Sequence, residues 1–220
     1  MTFALAPELA SIVRPGLLWL EGATVVEDDP RLLIVAHDIE QRFASSSFRL
    51  QAEDLQATID AVRSMYKRVG IDPTKRRPSS EALLRRVGRG DPFPRVNSMV
   101  DVCNWCSLEF QLPYGLYDLD KIEGDKVTLR IGLPGESYPG IRKDDVNVGG
   151  RIALVDAVEP FGNPTSDSAR TMTTTATARA LLIVFAPIST GSARLGEVLD
   201  ATARRMQEYT GATTIDRLCM

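Results

Sequence analysis

The chain has 220 residues and a mass of 24.1 kDa, enough to bury one substantial core, and its 44% hydrophobic and 25% charged content excludes a disordered or fibrous protein. A net charge of −3 argues against a uniformly basic nucleic-acid binder. The longest apolar run, around Ala180 to Pro187, falls far short of the roughly 20 residues that span a bilayer, so no membrane segment is expected. Met1 to Pro15 lacks the basic start and small-residue cleavage pattern of a secretory signal. Three cysteines do not make a disulfide framework. The expectation is one cytoplasmic domain over residues 1–220.

Phe3 to Val26 reads as two short strands with turns at Pro7 and Pro15. Asp29-Pro30 opens a helix to about Ala44, with proline in the first turn where its missing N–H costs nothing. Leu55, Ile59, Val62, Tyr66 and Val69 recur every three or four residues, which predicts a helix over 53–69 stopped by Gly70. A basic loop lies between Pro73 and Pro78, and Ser79 or Ser80 is the expected cap of a short helix ended by Gly88 and Gly90. Asp91 to Pro94 is a rigid link. Asn97 or Ser98 then starts a helix with Val100, Cys103 and Leu108 among its buried positions.

From Tyr114 to Val155 the pattern turns to strand. Lys126 to Ile131 alternates with period two after a Gly124-Asp125 turn, and Arg151 to Val155 is a second strand. Phe161 to Thr175 is polar and reads as a loop. Ala180 to Phe185 is a buried strand, and Leu195, Val198, Leu199, Met206 and Tyr209 form the apolar face of a last helix ending at Gly211. The sum is an α+β fold with a mainly antiparallel sheet.

Charge is concentrated. Lys67 to Arg95 holds nine basic residues against three acidic ones, and Lys75, Arg76, Arg77, Arg85, Arg86 and Arg89 are its candidates for contact with a phosphate backbone. A solvated helix face beside a basic loop is the alternative. No phosphate-binding loop, dinucleotide glycine pattern or nucleophile elbow occurs. The lone His37 lies in an apolar stretch and reads as structural. Cys103 and Cys106 fall inside a helix, away from the N-terminus that would activate a thiolate, and offer only half of a zinc site. No metal and no cofactor is expected. The segment Asn163 to Thr171 is richer: Asn163, Thr165, Ser166, Asp167, Ser168, Arg170 and Thr171 could hold a zwitterion, with Asp167 on its ammonium and Arg170 on a carboxylate or phosphate. The same residues could equally bond to their own backbone as a surface loop.

Four stretches together resemble one family: Gly70 to Lys75 continuing through Arg77 to Arg86; Arg95-Val96-Asn97 with Val100, Asp101 and Asn104; Leu112-Pro113 with Tyr117 to Gly124; and Asn163 to Thr171. They are similar to the B3/4 domain of the phenylalanyl-tRNA synthetase beta subunit and to its free-standing bacterial relatives, over about residues 66–187. The resemblance implies a B3/4-like α+β fold, a central, mainly antiparallel β-sandwich flanked by helices. It also implies a tRNA or aminoacyl-tRNA partner and editing of mischarged tRNA. The family has a threonine where this chain has Cys103, a histidine at Gly115 and a glutamate at Ile183, so recognition of a tyrosine hydroxyl is not expected here.

The resulting expectation is a trans-editing protein that hydrolyses a mischarged aminoacyl-tRNA. Asn97, Asp101, Asn104, Asn163, Thr165, Ser166, Asp167, Ser168, Arg170 and Thr171 are its candidate substrate contacts. The alternatives are a non-catalytic module that binds tRNA or an amino-acid-like molecule, and a hydrolase of a small ester or amide unrelated to tRNA, whose activity would be indifferent to the basic segment. Whether 163–171 meets 97–104 across one cleft decides the site assignment.

Overall fold

The computed structural model describes residues 1–44, 52–142 and 144–220. The first strand, β1 (Thr2–Leu5), leads through a 3₁₀ turn to β2 (Val13–Glu21), and three helices follow: α1 (Pro30–Ala44), α2 (Ala52–Arg68) and α3 (Ser79–Gly88). Then come α4 (Ser98–Phe110), β3 (Tyr114–Asp118), β4 (Lys126–Ile131), the short pair β5 (Ser137–Pro139) and β6 (Asp145–Asn147), and β7 (Ile152–Val155). The chain continues with β8 (Pro160–Asn163), β9 (Ser166–Asp167), β10 (Ala180–Pro187), α5 (Ser192–Thr210) and β11 (Thr213–Cys219). Among the described residues no helix is long and apolar enough to cross a membrane.

The strands form a five-stranded sheet in the order β1-β4-β7-β8-β9 and a four-stranded sheet in the order β11-β2-β10-β3. Every pairing between named strands is antiparallel except that of β1 with β4. The sheets meet face to face: the Tyr117 ring of β3 packs edge-on against Phe161 of β8, with centroids 5.0 Å apart. The other face of the four-stranded sheet is covered by helix. Gly16 of β2 lies against Leu195 and Leu199 of α5, and the Tyr114 phenol of β3 reaches Thr202 of α5 at 3.0 Å. Covered on both sides, all eight residues of β10 are buried, which is why that segment is apolar without alternation. A smaller cluster of Ala36, Ile39, Phe43, Val87, Phe93 and Leu108 joins α1, α3 and α4.

Several expectations change. Pro15 lies inside β2, not in a turn. Its carbonyl accepts the Met220 N–H, so its nitrogen faces the side where the β11 ladder has just ended, and no ladder bond is lost. Phe161 to Thr175 is not all loop, because its first part is the β8–β9 hairpin. Thr213–Cys219 is a strand, and it went unpredicted because its residues are mostly exposed edge positions with no apolar alternation. Pro78 is the N-cap of α3 without a side-chain bond, and Ser79 instead turns its hydroxyl to the Pro164 carbonyl at 3.4 Å. The helix stops read from glycine hold, with Gly70 at φ 80° and Gly211 at φ 72°.

Candidate functional site

A cleft of about 290 Å³ opens beside the edge strand β3. Its helical wall is a single stripe of α4: Val100, Cys103, Asn104 and Ser107, spaced by three and four so that all point one way. The stripe Met99, Val102 and Cys106 is buried in the main core instead. Tyr114 and Leu116, two residues apart on β3, add the strand wall. Thr165, Ser166 and Asp167 line the same cleft from the β8–β9 hairpin. The two segments singled out in the sequence therefore share one cleft.

Only part of each segment faces it. Asn104, Thr165, Ser166 and Asp167 line the cleft; Asn97, Asp101, Asn163, Ser168, Arg170 and Thr171 do not. Asn97 is the N-cap of α4, its Oδ1 accepting the Val100 N–H at 3.0 Å. Asp101 turns back to accept the Val96 N–H at 2.8 Å and the Arg95 Nε–H at 3.3 Å. Burial raises its pKa, and these two donors oppose the rise. Asn163 closes the hairpin turn by accepting the N–H groups of Thr165 and Ser166. The Ser168 hydroxyl accepts the Arg170 N–H. Arg170 binds Asp156 at 2.8 Å, Glu159 at 2.9 Å and the Lys121 carbonyl at 2.8 Å. The self-bonded reading thus holds for Asn163 and Ser168, Arg170 is held by partners outside the segment, and the three residues at the tip and β9 line the cleft.

Tyrosines surround the acidic side of the cleft. The Tyr117 phenol donates to Asp167 Oδ1 at 2.7 Å, and burial followed by the Asp167 charge keeps that phenol protonated, far above its ordinary range. Tyr66 donates to the Pro164 carbonyl at 2.6 Å and Tyr138 to the Ser166 carbonyl at 2.6 Å, clamping the hairpin from α2 and β5. The Thr165 hydroxyl is buried with no partner at hydrogen-bond geometry, although it lies close enough to Tyr66 to influence its titration. The Cys103 thiol is pushed well above its usual value by burial, then by Cys106 and Asp167, so it is a wall and not a nucleophile. His37 is exposed on α1, bonded to Gln41, and does not line the cleft.

Gly115 and Ile183 face away from this cleft. They are directly paired across β3 and β10, on the sheet face that carries Tyr117, opposite to Tyr114 and Leu116. A Cβ at Gly115 would meet the Tyr117 hydroxyl at 2.3 Å, and one at Gly162 would meet it at 2.2 Å. The Tyr117 ring occupies the slot between these glycines, where any side chain at 115 would have to lie.

The basic segment is largely committed. Glu81, almost fully buried, takes Arg63 at 2.7 Å, Arg85 at 3.0 Å and Arg77 at 3.4 Å. Burial raises the Glu81 pKa, but the Arg63 and Arg85 guanidinium groups overcome it and hold the carboxyl below its usual value. Arg86 donates to the Pro92 carbonyl and Arg89 pairs with Asp91. Lys75 and Arg76 make no side-chain bond to the described residues; Arg76 lies in a shallow depression that shares Thr165 and Ser166 with the cleft. Sequence reasoning missed the wall residues Ser107, Tyr114, Leu116, Ile141, Met172 and Thr173. The 100-103-104-107 spacing was the available signal for the first, and nothing local marked the last three.

Known proteins place this architecture. An N-terminal fragment of the phenylalanyl-tRNA synthetase beta-subunit from Pyrococcus horikoshii superimposes with a TM-score of 0.50 at 13% identity, over 96% of this chain and 49% of that one, a likeness of fold. The phenylalanine–tRNA ligase beta subunit of Ralstonia nicotianae is 37% identical over 73 residues, 33% of this chain and 9% of that protein. The chain therefore spans about half or less of each relative. The model of the B3/4 domain matches residues 61–217, which take in α4, the β8–β9 hairpin and the whole cleft. That match runs through most of the chain, and the protein belongs to the B3/4 domain family.

Proposed function

We propose that the cleft binds the aminoacylated end of a tRNA in the cytoplasm and hydrolyses its ester, so that the chain clears a mischarged aminoacyl-tRNA. The observation that carries this reading is the convergence of Asp167, Asn104 and Thr165, from two segments distant in the chain, on one cleft with apolar residues among its walls. An α-aminoacyl ester presents an ammonium and a carbonyl. Asp167 suits the first by charge; Asn104 and Thr165 are donors suited to the second. In hydrolysis, water adds to the ester carbonyl, the bond from that carbon to the ribose oxygen breaks, and the water's proton passes to the leaving hydroxyl. An activated ester needs only a positioned water and donors for the developing oxyanion, without a covalent nucleophile. The protonated Cys103 thiol fits that scheme.

A second reading, binding without turnover, is favoured by one observation: Arg170, the cation expected to act on substrate, is held by Asp156 and Glu159. A panel of mischarged tRNAs separates the two. Hydrolysis predicts release of at least one amino acid above the spontaneous rate, reduced roughly 10-fold or more in Asp167→Asn by loss of a charge-assisted contact. Retention of charged tRNA by the protein with no release supports the second reading. Neither retention nor release would refute both.

A further inference from the structure

The composition of the cleft walls carries an inference about which aminoacyl groups fit. It rests on the reading of the cleft as an aminoacyl-ester site. Six of the fourteen residues around the cavity are apolar: Val96, Val100, Cys103, Leu116, Ile141 and Met172. Three of these, Val100, Cys103 and Leu116, lie on α4 and β3, whereas the hydroxyls of Ser79, Ser166 and Thr173 come from outside α4 and β3. Of the polar groups on the α4 and β3 walls, the Ser107 hydroxyl already donates to the Leu112 carbonyl at 2.8 Å. The Tyr114 phenol is bonded to Thr202 at 3.0 Å and kept protonated by burial. Both are committed to the fold before any ligand arrives. Asn104 is the remaining polar member of the α4 stripe, and with Asp167 and Thr165 it matches the three polar features that every aminoacyl ester shares.

The depth of the cleft is limited as well. Beyond β3, the inter-sheet slot at Gly115 is filled by the Tyr117 ring, and Ile183 beside it is fully buried. A long side chain would find no room there, because the Tyr117 ring already fills it. The volume, about 290 Å³, lies at the bottom of the range of small-molecule pockets and suits a group the size of one amino acid.

We infer that the cleft selects aminoacyl groups whose side chains are hydroxyl-free and apolar, with Cys103 on the wall that contacts the side chain. A hydroxyl brought against the Val100, Cys103 and Leu116 surface of the α4 and β3 walls loses its water without gaining a partner there, and an apolar pocket rejects a hydroxylated isostere by up to about 100-fold.

Stable amide-linked analogues of 3′-aminoacyl-adenosine test this without turnover. Valyl and threonyl analogues differ by little more than a methyl for a hydroxyl; phenylalanyl and tyrosyl analogues differ by the hydroxyl alone. Calorimetric titration is expected to show valyl bound about 10- to 100-fold more tightly than threonyl, with phenylalanyl ahead of tyrosyl if aromatic groups enter. Threonyl binding as tightly as valyl, or more tightly, would overturn the inference while leaving the aminoacyl-ester reading intact; that order is the one predicted if Asn104 reads a side-chain hydroxyl. If no aminoacyl analogue binds better than 3′-amino-adenosine itself, the aminoacyl-ester reading fails, and this inference with it. Cys103→Ser, close in size, should narrow the valyl-to-threonyl ratio several-fold, and an unchanged ratio would overturn the placement of the side chain against Cys103.

Discussion

Arg170→Ala tests whether that arginine serves substrate or fold. In the structure its guanidinium joins Asp156, Glu159 and the Lys121 carbonyl, tying the turn before β8 to the segment after β3. The Asp156 side chain is fully buried and Arg170 is 26% exposed. Removing one partner of a buried pair costs about 3–5 kcal/mol. Here the cost is moderated because Asp156 keeps the N–H groups of Glu123, Val158 and Glu159. The half-exposed Glu159 contact adds at most about 1 kcal/mol. A loss of about 2–4 kcal/mol follows, equivalent to a fall in Tm of roughly 5–15 °C for a domain of this size. Burial raises the Asp156 pKa, but its backbone donors and Arg170 outweigh this and leave it depressed. A depressed carboxylate stabilises the fold above its unfolded value and loses that contribution as pH falls through the folded one, so the gap between wild type and variant should be widest near neutrality and close in acid. Urea melts at several pH values, run beside a binding titration with an aminoacyl analogue, give both readouts. A variant that melts within about 1 kcal/mol of wild type yet no longer binds the analogue would refute the structural role.

Further outcomes follow from the same geometry. Gly115→Ala should destabilise by about 1–3 kcal/mol, since its Cβ would meet the Tyr117 hydroxyl at 2.3 Å, and the added cost should largely vanish in a Tyr117→Ala background, a non-additivity read from a double-mutant cycle of urea melts. If tRNA binds through the basic loop, Lys75→Ala with Arg76→Ala should lower the slope of log affinity against log salt by roughly 2. Arg89→Ala should change it less, because Arg89 is already paired with Asp91. In a thiol-reagent assay at pH 8 on native protein, Cys219 should react first, with Cys103 and Cys106 following only on unfolding, because burial raises both of those thiols. Prompt reaction of three thiols would contradict the buried placement of α4.

Two of the segments that line the cleft were visible in the sequence, but which of their residues face it was not, and neither were the walls from Tyr114, Leu116, Ile141, Met172 and Thr173. Asn97 and Asn104 lie about two turns apart on the same side of one helix, yet the Asn97 side chain is spent on capping the first turn while Asn104 lines the cleft. Within 163–171, Ser166 and Asp167 of β9 both line the cleft while the Ser168 hydroxyl just past the strand accepts the Arg170 N–H, a distinction that composition does not carry. The basic segment was equally plain as a charge count, whereas Glu81 at its centre turned out to hold Arg63, Arg77 and Arg85, with Lys75 and Arg76 left toward solvent.

By itself, the sequence determined the helices, the buried strand β10, the glycine stops and the family to which the chain belongs. These depend on periodicity, turn residues and local motifs, which are properties of neighbours along the chain. Tertiary structure alone decided that β11 pairs with β2, that Tyr117 fills the slot between Gly115 and Gly162, and that α4 and the β8–β9 hairpin close on a single cleft. Each of those contacts joins segments far apart in the chain. Which residues meet there is set by how two sheets and their covering helices exclude water together, and no local pattern records it.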